Sequence, residues 1–310
     1  MTTLPAFLQQ GNRVAIVSPS GPIDNSYIER AVEILERWGL QVWIAPHVCA
    51  HCGVFAGTDT ERAADMQAAF NNPEIRAIFC SRGGYGAIRI VETLDYTQFL
   101  QNPKWLIGFS DITVFHSKLN TLGVASIHGA MPKNFEKITE KSLQSLHNVL
   151  FGKENTITWQ ANERNKRGTA QGRLVGGNLS ILYSIRGLSL EYNYRNAILF
   201  IEDLNEYVYH IDRMLQNLKL SGILAHLSGL IVGGMTDMKQ GADTFGITIE
   251  ELILDICKDY SFPIAFNFPS GHGAQNKAFV VGEEYFLTVG GNECKVEIVD
   301  SKPKESNVLL

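Results

Sequence analysis

Two rhythms of apolar and polar residues run along this chain. Short apolar runs are closed by glycine, proline or serine, and longer stretches carry apolar residues three and four apart. Arg13–Val17 (RVAIV), ended by Ser18-Pro19-Ser20-Gly21-Pro22, reads as a buried strand. Ile28, Ala31, Val32, Leu35 and Trp38 then make a helical stripe, opened by a capping-box pattern at Ser26 and Glu29 and ended by Gly39. Residues 40–45 predict a second strand, and Thr58 with Glu61 opens a helix stopped by Asn71-Asn72-Pro73. Ile75–Cys80 is a third strand, followed at once by Ser81-Arg82-Gly83-Gly84-Tyr85-Gly86 and a helix to about residue 94. Residues 105–107 form the fourth strand. Gly108 ends it, and Ile112, Phe115, His116 and Leu119 follow at helical spacing. Strands alternating with helices in this way predict a parallel, doubly wound α/β sheet, whose site lies beyond the carboxyl ends of the strands.

Residues 151–171 carry scattered charge and no clean apolar period apart from a short run at 156–159. The expected organisation is therefore an N-terminal domain over 1–151, a linker over 152–171 and a C-terminal α/β domain over 172–310. In the second half Gly176-Gly177-Asn178 opens a helix carrying Leu179, Leu182 and Tyr183, and residues 197–201 form a strand leading into Glu202-Asp203. Val208, Ile211, Leu215 and Leu218 mark another helix. A strand at 227–232, a capped helix at 248–260 and a strand at 264–268 follow, the last running into Pro269-Ser270-Gly271-His272-Gly273. Phe279–Val281 and residues 285–289 look like a terminal hairpin. No internal repeat is visible.

Composition narrows the class. A length of 310 residues leaves room for two domains, and 45% hydrophobic with 19% charged residues describes an ordinary globular protein. A net charge of −5, from 27 basic and 32 acidic residues, offers no basic field for nucleic acid or an anionic membrane. The first ten residues have neither a basic start nor an apolar core, and no apolar run approaches ~18 residues, so the expected location is the cytoplasm. Five cysteines, an odd number, do not make a secreted disulfide framework. Cys49-Ala50-His51-Cys52, with His47 before it, offers zinc or redox ligands, but a structural zinc site has a second ligand pair and Cys80, Cys257 and Cys294 stand alone. No metal is expected.

Chemistry gathers at three strand ends. Ser110 stands where a strand turns into a helix, so its hydroxyl is held clear of the sheet beside the first helical amides, Asp111's among them. Ser110 or Asp111 as a simple helix cap remains the alternative. Glu202 and His272 end two other strands. A serine needs an imidazole to take its proton and a carboxylate to hold that imidazole's tautomer, and these three supply one candidate per role. His128, in Ser126-Ile127-His128-Gly129, competes with His272 as the base. The loop Arg82-Gly83-Gly84-Tyr85-Gly86 suits an oxyanion hole or a carboxylate cradle, and neither the full dinucleotide spacing nor a phosphate-loop ending is present.

SRGGYGAIRI, GFSDIT, GRLVGGNL, IED and PSGHG, in that order over nearly the whole chain, resemble the LD-carboxypeptidases, the muramoyltetrapeptide carboxypeptidase family of serine peptidases. The resemblance implies a flavodoxin-like N-terminal domain, a smaller mixed α/β C-terminal domain, an active site between them and a homodimer. It matches the nucleophile to Ser110, the acid to Glu202, the base to His272, and the oxyanion amides to Gly84 and Asp111. Arg82 and Asn178 are the candidates for holding substrate, Arg82 because a guanidinium suits a terminal carboxylate. The implied substrate is a murein tetrapeptide, cleaved to release D-alanine during wall recycling, with no metal or organic cofactor. The family also includes immunity peptidases acting on microcin C, whose adenine-binding loop has no obvious counterpart here. A non-catalytic flavodoxin-like module using the glycine loop to hold an anion is the different-class alternative.

Overall fold

The computed structural model describes residues 2–153, 156–241 and 244–299. Its first half runs β1 (Arg13–Val17), α1 (Asn25–Arg37), β2 (Gln41–Ile44), α2 (Asp59–Asn71), β3 (Ile75–Cys80), α3 (Ala87–Ile90), α4 (Thr97–Gln101), β4 (Trp105–Gly108), α5 (Thr113–Thr121), β5 (Ser126–His128) and α6 (Glu140–Leu150). The second half runs β6 (Thr156–Gln160), β7 (Gly168–Asn178), α7 (Leu179–Ser184), β8 (Ala197–Leu204), α8 (Val208–Leu220), β9 (Gly229–Thr236), α9 (Ile249–Ile256), β10 (Ile264–Ala265), β11 (Phe279–Val281), β12 (Glu284–Val289) and β13 (Glu293–Ile298).

The first sheet has the order β11-β5-β4-β3-β1-β2, parallel from β2 to β5, which is the flavodoxin-like arrangement. β3 and β4 are buried almost throughout because helices cover both faces, as a parallel sheet requires. Met66, Ala69 and Phe70 of α2 and Phe115 and Leu119 of α5 pack on one face. Ile28, Ala31 and Leu35 of α1 and Leu146 and Leu150 of α6 pack on the other. The second sheet, β10-β9-β8-β7-β12-β13-β6, is parallel through its first four strands and antiparallel beyond β7. Among the described residues no helix is long and apolar enough to cross a membrane.

Three local expectations are corrected. The capping box at Ser26 does not form: Asp24 is the extended N-cap residue, and the Glu29 carboxylate accepts instead from the Asn25 side chain at 2.6 Å. The box at Thr58 and Glu61 does form, with Thr58 N–H donating to Glu61 at 2.8 Å and Glu61 N–H to Thr58 at 3.2 Å. The run at 156–159 belongs to β6, which pairs with β13 and alternates cleanly, burying Ile157 and Trp159. Finally, Phe279–Val281 is not half of a hairpin with the following strand. It crosses to the first sheet and pairs antiparallel with β5, Phe279 opposite His128, while β12 and β13 form the hairpin. The C-terminal half thereby closes an edge of the N-terminal sheet.

Candidate active site

Ser110 follows β4 through Phe109 and enters a short 3₁₀ turn, Ser110–Ile112, ahead of α5. Its φ is 63°, the left-handed region that side chains other than glycine seldom adopt. Such a conformation costs on the order of 1–3 kcal/mol and persists only where the surroundings impose it. Here it turns the hydroxyl out of the helix start. Gly83 leaves room for it, since a Cβ at that position would sit 2.8 Å from Ser110 Cβ and 3.0 Å from Oγ.

The neighbouring Asp111 carboxylate turns inward, accepting from Ser20 Oγ at 2.6 Å and Ala87 N–H at 2.9 Å. Burial raises its pKa, partly opposed by those bonds. Its backbone amide is the part left beside Gly83, 3.4 Å from where a Cβ there would lie. The glycine loop is held from beneath by the buried Arg62 of α2, which donates to the carbonyls of Pro19 at 2.5 Å and Gly86 at 3.0 Å.

From the second sheet, β8 runs to Leu204 with its pairing to β9 shifted by a bulge between Ile201 and Asp203, and the carboxylates of Glu202 and Asp203 meet different partners. Glu202, wholly buried, accepts from His272 Nδ1 at 2.6 Å, and His272 Nε2 lies 3.1 Å from Ser110 Oγ. Asp203 faces the other way. Its carboxylate accepts from Asn178 Nδ2 at 2.9 Å, Ser180 N–H at 2.8 Å and Ser180 Oγ at 2.6 Å, fixing the start of α7. Gly271 has φ 128°, and a Cβ there would lie 3.1 Å from Glu202 Oε2, so only glycine lets the acid reach the imidazole. Burial pulls the His272 pKa down, but the hydrogen bond and charge of Glu202, with the charge of Asp203, outweigh it and the net shift is upward.

His128, the competing base, lies elsewhere. It is fully buried, stacked on Phe279 at 4.9 Å, and neither ring nitrogen has a hydrogen-bond partner among the described residues. His47 is tied to Asp65 at 2.9 Å, Cys49 and Cys52 are exposed, and the described residues hold no cluster of three metal-ligating side chains.

Ser110 and His272 open into a cleft of about 400 Å³ that is also lined by Arg82, Gly84, Lys133, Asn178, Ser180 and Glu206. Arg82 spends one nitrogen on the Pro22 carbonyl at 2.8 Å and makes no ion pair with a described carboxylate. Asn178 caps α7 through Ile181 N–H at 3.2 Å. Lys133, Ser180 and Glu206 were not among the sequence candidates. Ser180, two residues past the Asn178 helix cap, had a local signal; Lys133 and Glu206 had none.

The flavodoxin-like sheet and the second, mixed sheet thus meet at the hydrogen-bonded line of Ser110, His272 and Glu202. The LD-carboxypeptidase N-terminal domain family matches residues 14–129, and its C-terminal domain family matches residues 171–287. The murein tetrapeptide carboxypeptidase of Pseudomonas aeruginosa is 31% identical over 287 residues, covering 89% of this chain and 92% of that protein. The crystal structure of muramoyltetrapeptide carboxypeptidase from Oxalobacter formigenes superposes with a TM-score of 0.86 at 27% identity, covering 93% and 99% of the two chains. The microcin C7 self-immunity protein of Escherichia coli is 27% identical over 267 residues, covering 74% of this chain and 77% of that one. The chain belongs to the LD-carboxypeptidase family.

Proposed function

We propose that the protein is a serine-type LD-carboxypeptidase that releases D-alanine from murein tetrapeptides in the cytoplasm, acting as a homodimer. The observation that carries this reading is the continuous line from Ser110 Oγ to His272 Nε2 and from His272 Nδ1 to the buried Glu202. His272 takes the Ser110 proton as Oγ attacks the carbonyl joining an L-centre to the terminal D-residue. Glu202 keeps the imidazole in the tautomer with its proton on Nδ1 and stabilises the imidazolium that forms. The amides of Gly84 and Asp111 donate to the tetrahedral oxyanion. His272 then gives its proton to the departing amine, D-alanine leaves, and water activated by the same imidazole hydrolyses the ester to free the tripeptide and restore Ser110. Arg82 receives the substrate's terminal carboxylate, and Asn178 helps orient the peptide.

The relatives named for murein peptides support this substrate over an acyl-sulfamoyl nucleotide. Incubation of the purified protein with murein tetrapeptide, its all-L diastereomer and microcin C separates the readings. D-alanine release from the first alone is expected. Equal cleavage of the two diastereomers refutes the stereochemical claim, and cleavage of microcin C alone assigns the immunity activity instead.

A further inference from the structure

The proposed reacting groups come from different sheets, so their spacing depends on how the segment carrying His272 is held against the first domain. That segment runs from Pro269 to β11, and the holding is done by one face of α6. Thr139, Ser142 and Ser145 recur three residues apart, so they share a helix face. Thr139 N–H donates to the Ala274 carbonyl at 2.9 Å, Ser142 Oγ accepts from Asn276 N–H at 3.0 Å, and Ser145 Oγ accepts from Ala278 N–H at 2.9 Å. Alternate residues of the extended segment thus meet successive turns of the helix.

Asn276 is the residue in this row that also reaches toward the imidazole. Ala274 and Gln275 before it are exposed, whereas Asn276 is wholly buried. Its Oδ1 accepts from Ser270 Oγ at 2.9 Å and Gly271 N–H at 3.3 Å. Gly271 is the residue beside His272 whose missing side chain admits Glu202. One amide side chain therefore clamps the near end of the His272 loop while its backbone is anchored on α6 of the other domain. Its Nδ2 has no partner among the described residues, so the gripping atom is Oδ1.

We infer that Asn276 is the positioning residue that sets the His272 imidazole between Ser110 and Glu202, acting through Ser270 and Gly271 and braced by Ser142. It touches no reacting atom. The inference rests on the reading of His272 as the base, and its effect belongs in kcat, because a displaced base slows proton transfer while the other cleft-lining residues keep their places.

The test compares Asn276→Ala, Ser142→Ala, Ser145→Ala and Asn276→Asp with wild type. Two readouts are used: turnover of murein tetrapeptide, and the rate at which a fluorophosphonate probe labels Ser110, which needs the activated serine but no peptide specificity. Asn276→Ala should lower kcat and labelling together by about 10- to 100-fold, as expected for a misplacement near 1 Å, with KM little changed. Ser142→Ala should do the same to a smaller degree, and keeps the test open should Asn276→Ala fail to fold. Ser145→Ala, which frees Ala278 N–H and the Ser142 carbonyl but leaves the Ser142 hydroxyl on Asn276, should lower the melting temperature and leave kcat near wild type. Asn276→Asp, which keeps the accepting oxygen, should recover most of the loss. Wild-type labelling rates in folded Asn276→Ala or Ser142→Ala, a loss confined to KM, or an Asp variant as impaired as Ala would overturn the inference. Wild-type protein that labels normally but releases no D-alanine would sink the substrate reading alone. Wild-type protein that does not label would sink both.

Discussion

At Ser110 the backbone is held in a conformation that a serine pays for, and the return is a hydroxyl presented to His272. The same economy shows at Glu202 and Asp203, adjacent carboxylates with separate partners: one meets His272, the other Asn178 and Ser180. Glu202→Gln should therefore lower kcat by up to about 10⁴, as loss of the correct histidine tautomer does in serine proteases. Asp203→Asn should act mainly on stability and KM, through α7 and Asn178. The pH profiles should differ too. As the proposed base, His272 works only when neutral, and its pKa lies above the ordinary 6.5, so wild-type kcat/KM should fall as pH drops through that raised value. Without the Glu202 charge, burial prevails, and the residual activity of Glu202→Gln should persist to lower pH. A crippled Asp203→Asn beside a near-normal Glu202→Gln would reverse the assignment.

At the scale of elements, what was legible followed from local periodicity. The alternation expected from the sequence at 197–203 separates Glu202 from Asp203, and the two do take different partners although β8 is bulged against β9 at that point. The apolar run of β4 ending at Gly108 marks the corner that bears Ser110. What was not legible depended on distant partners. Nothing within Phe279–Val281 reports that it pairs with β5, some 150 residues earlier. Lys133 joins the cleft only because the loop after β5 folds over the strand ends, and Asn276 matters only through α6. The Cys49–Cys52 loop has the opposite character, a suggestive local pattern without a partner set. His47 is committed to Asp65 and both thiols are exposed. Replacing both cysteines by serine, or treating the protein with EDTA, should leave turnover unchanged. Loss on chelation restored by zinc would contradict this.

At the scale of the molecule, the site is a seam. A single apolar cluster runs from Met66, Phe70 and Phe115 against the first sheet to Leu199, Ile201 and Ile231 in the second, so the two halves share a core as well as a cleft. β11 ties them again, and Thr113 of α5 accepts from Asn178 N–H at 3.1 Å across the join. Packing of this kind fixes the distance between side chains that different sheets contribute, as a hydrogen-bonded Ser–His–Glu line demands. The flavodoxin-like order of the first sheet explains why Ser110 and the glycine loop face the same cleft, since both follow carboxyl ends of parallel strands.

The claim that the seam is a serine carboxypeptidase site is tested most directly by measuring free D-alanine released from murein tetrapeptide by wild-type protein and by Ser110→Ala. Wild type should turn over the substrate, and the folded variant should be slower by on the order of 10⁴- to 10⁶-fold. A variant that retains a tenth of the wild-type rate would contradict the account.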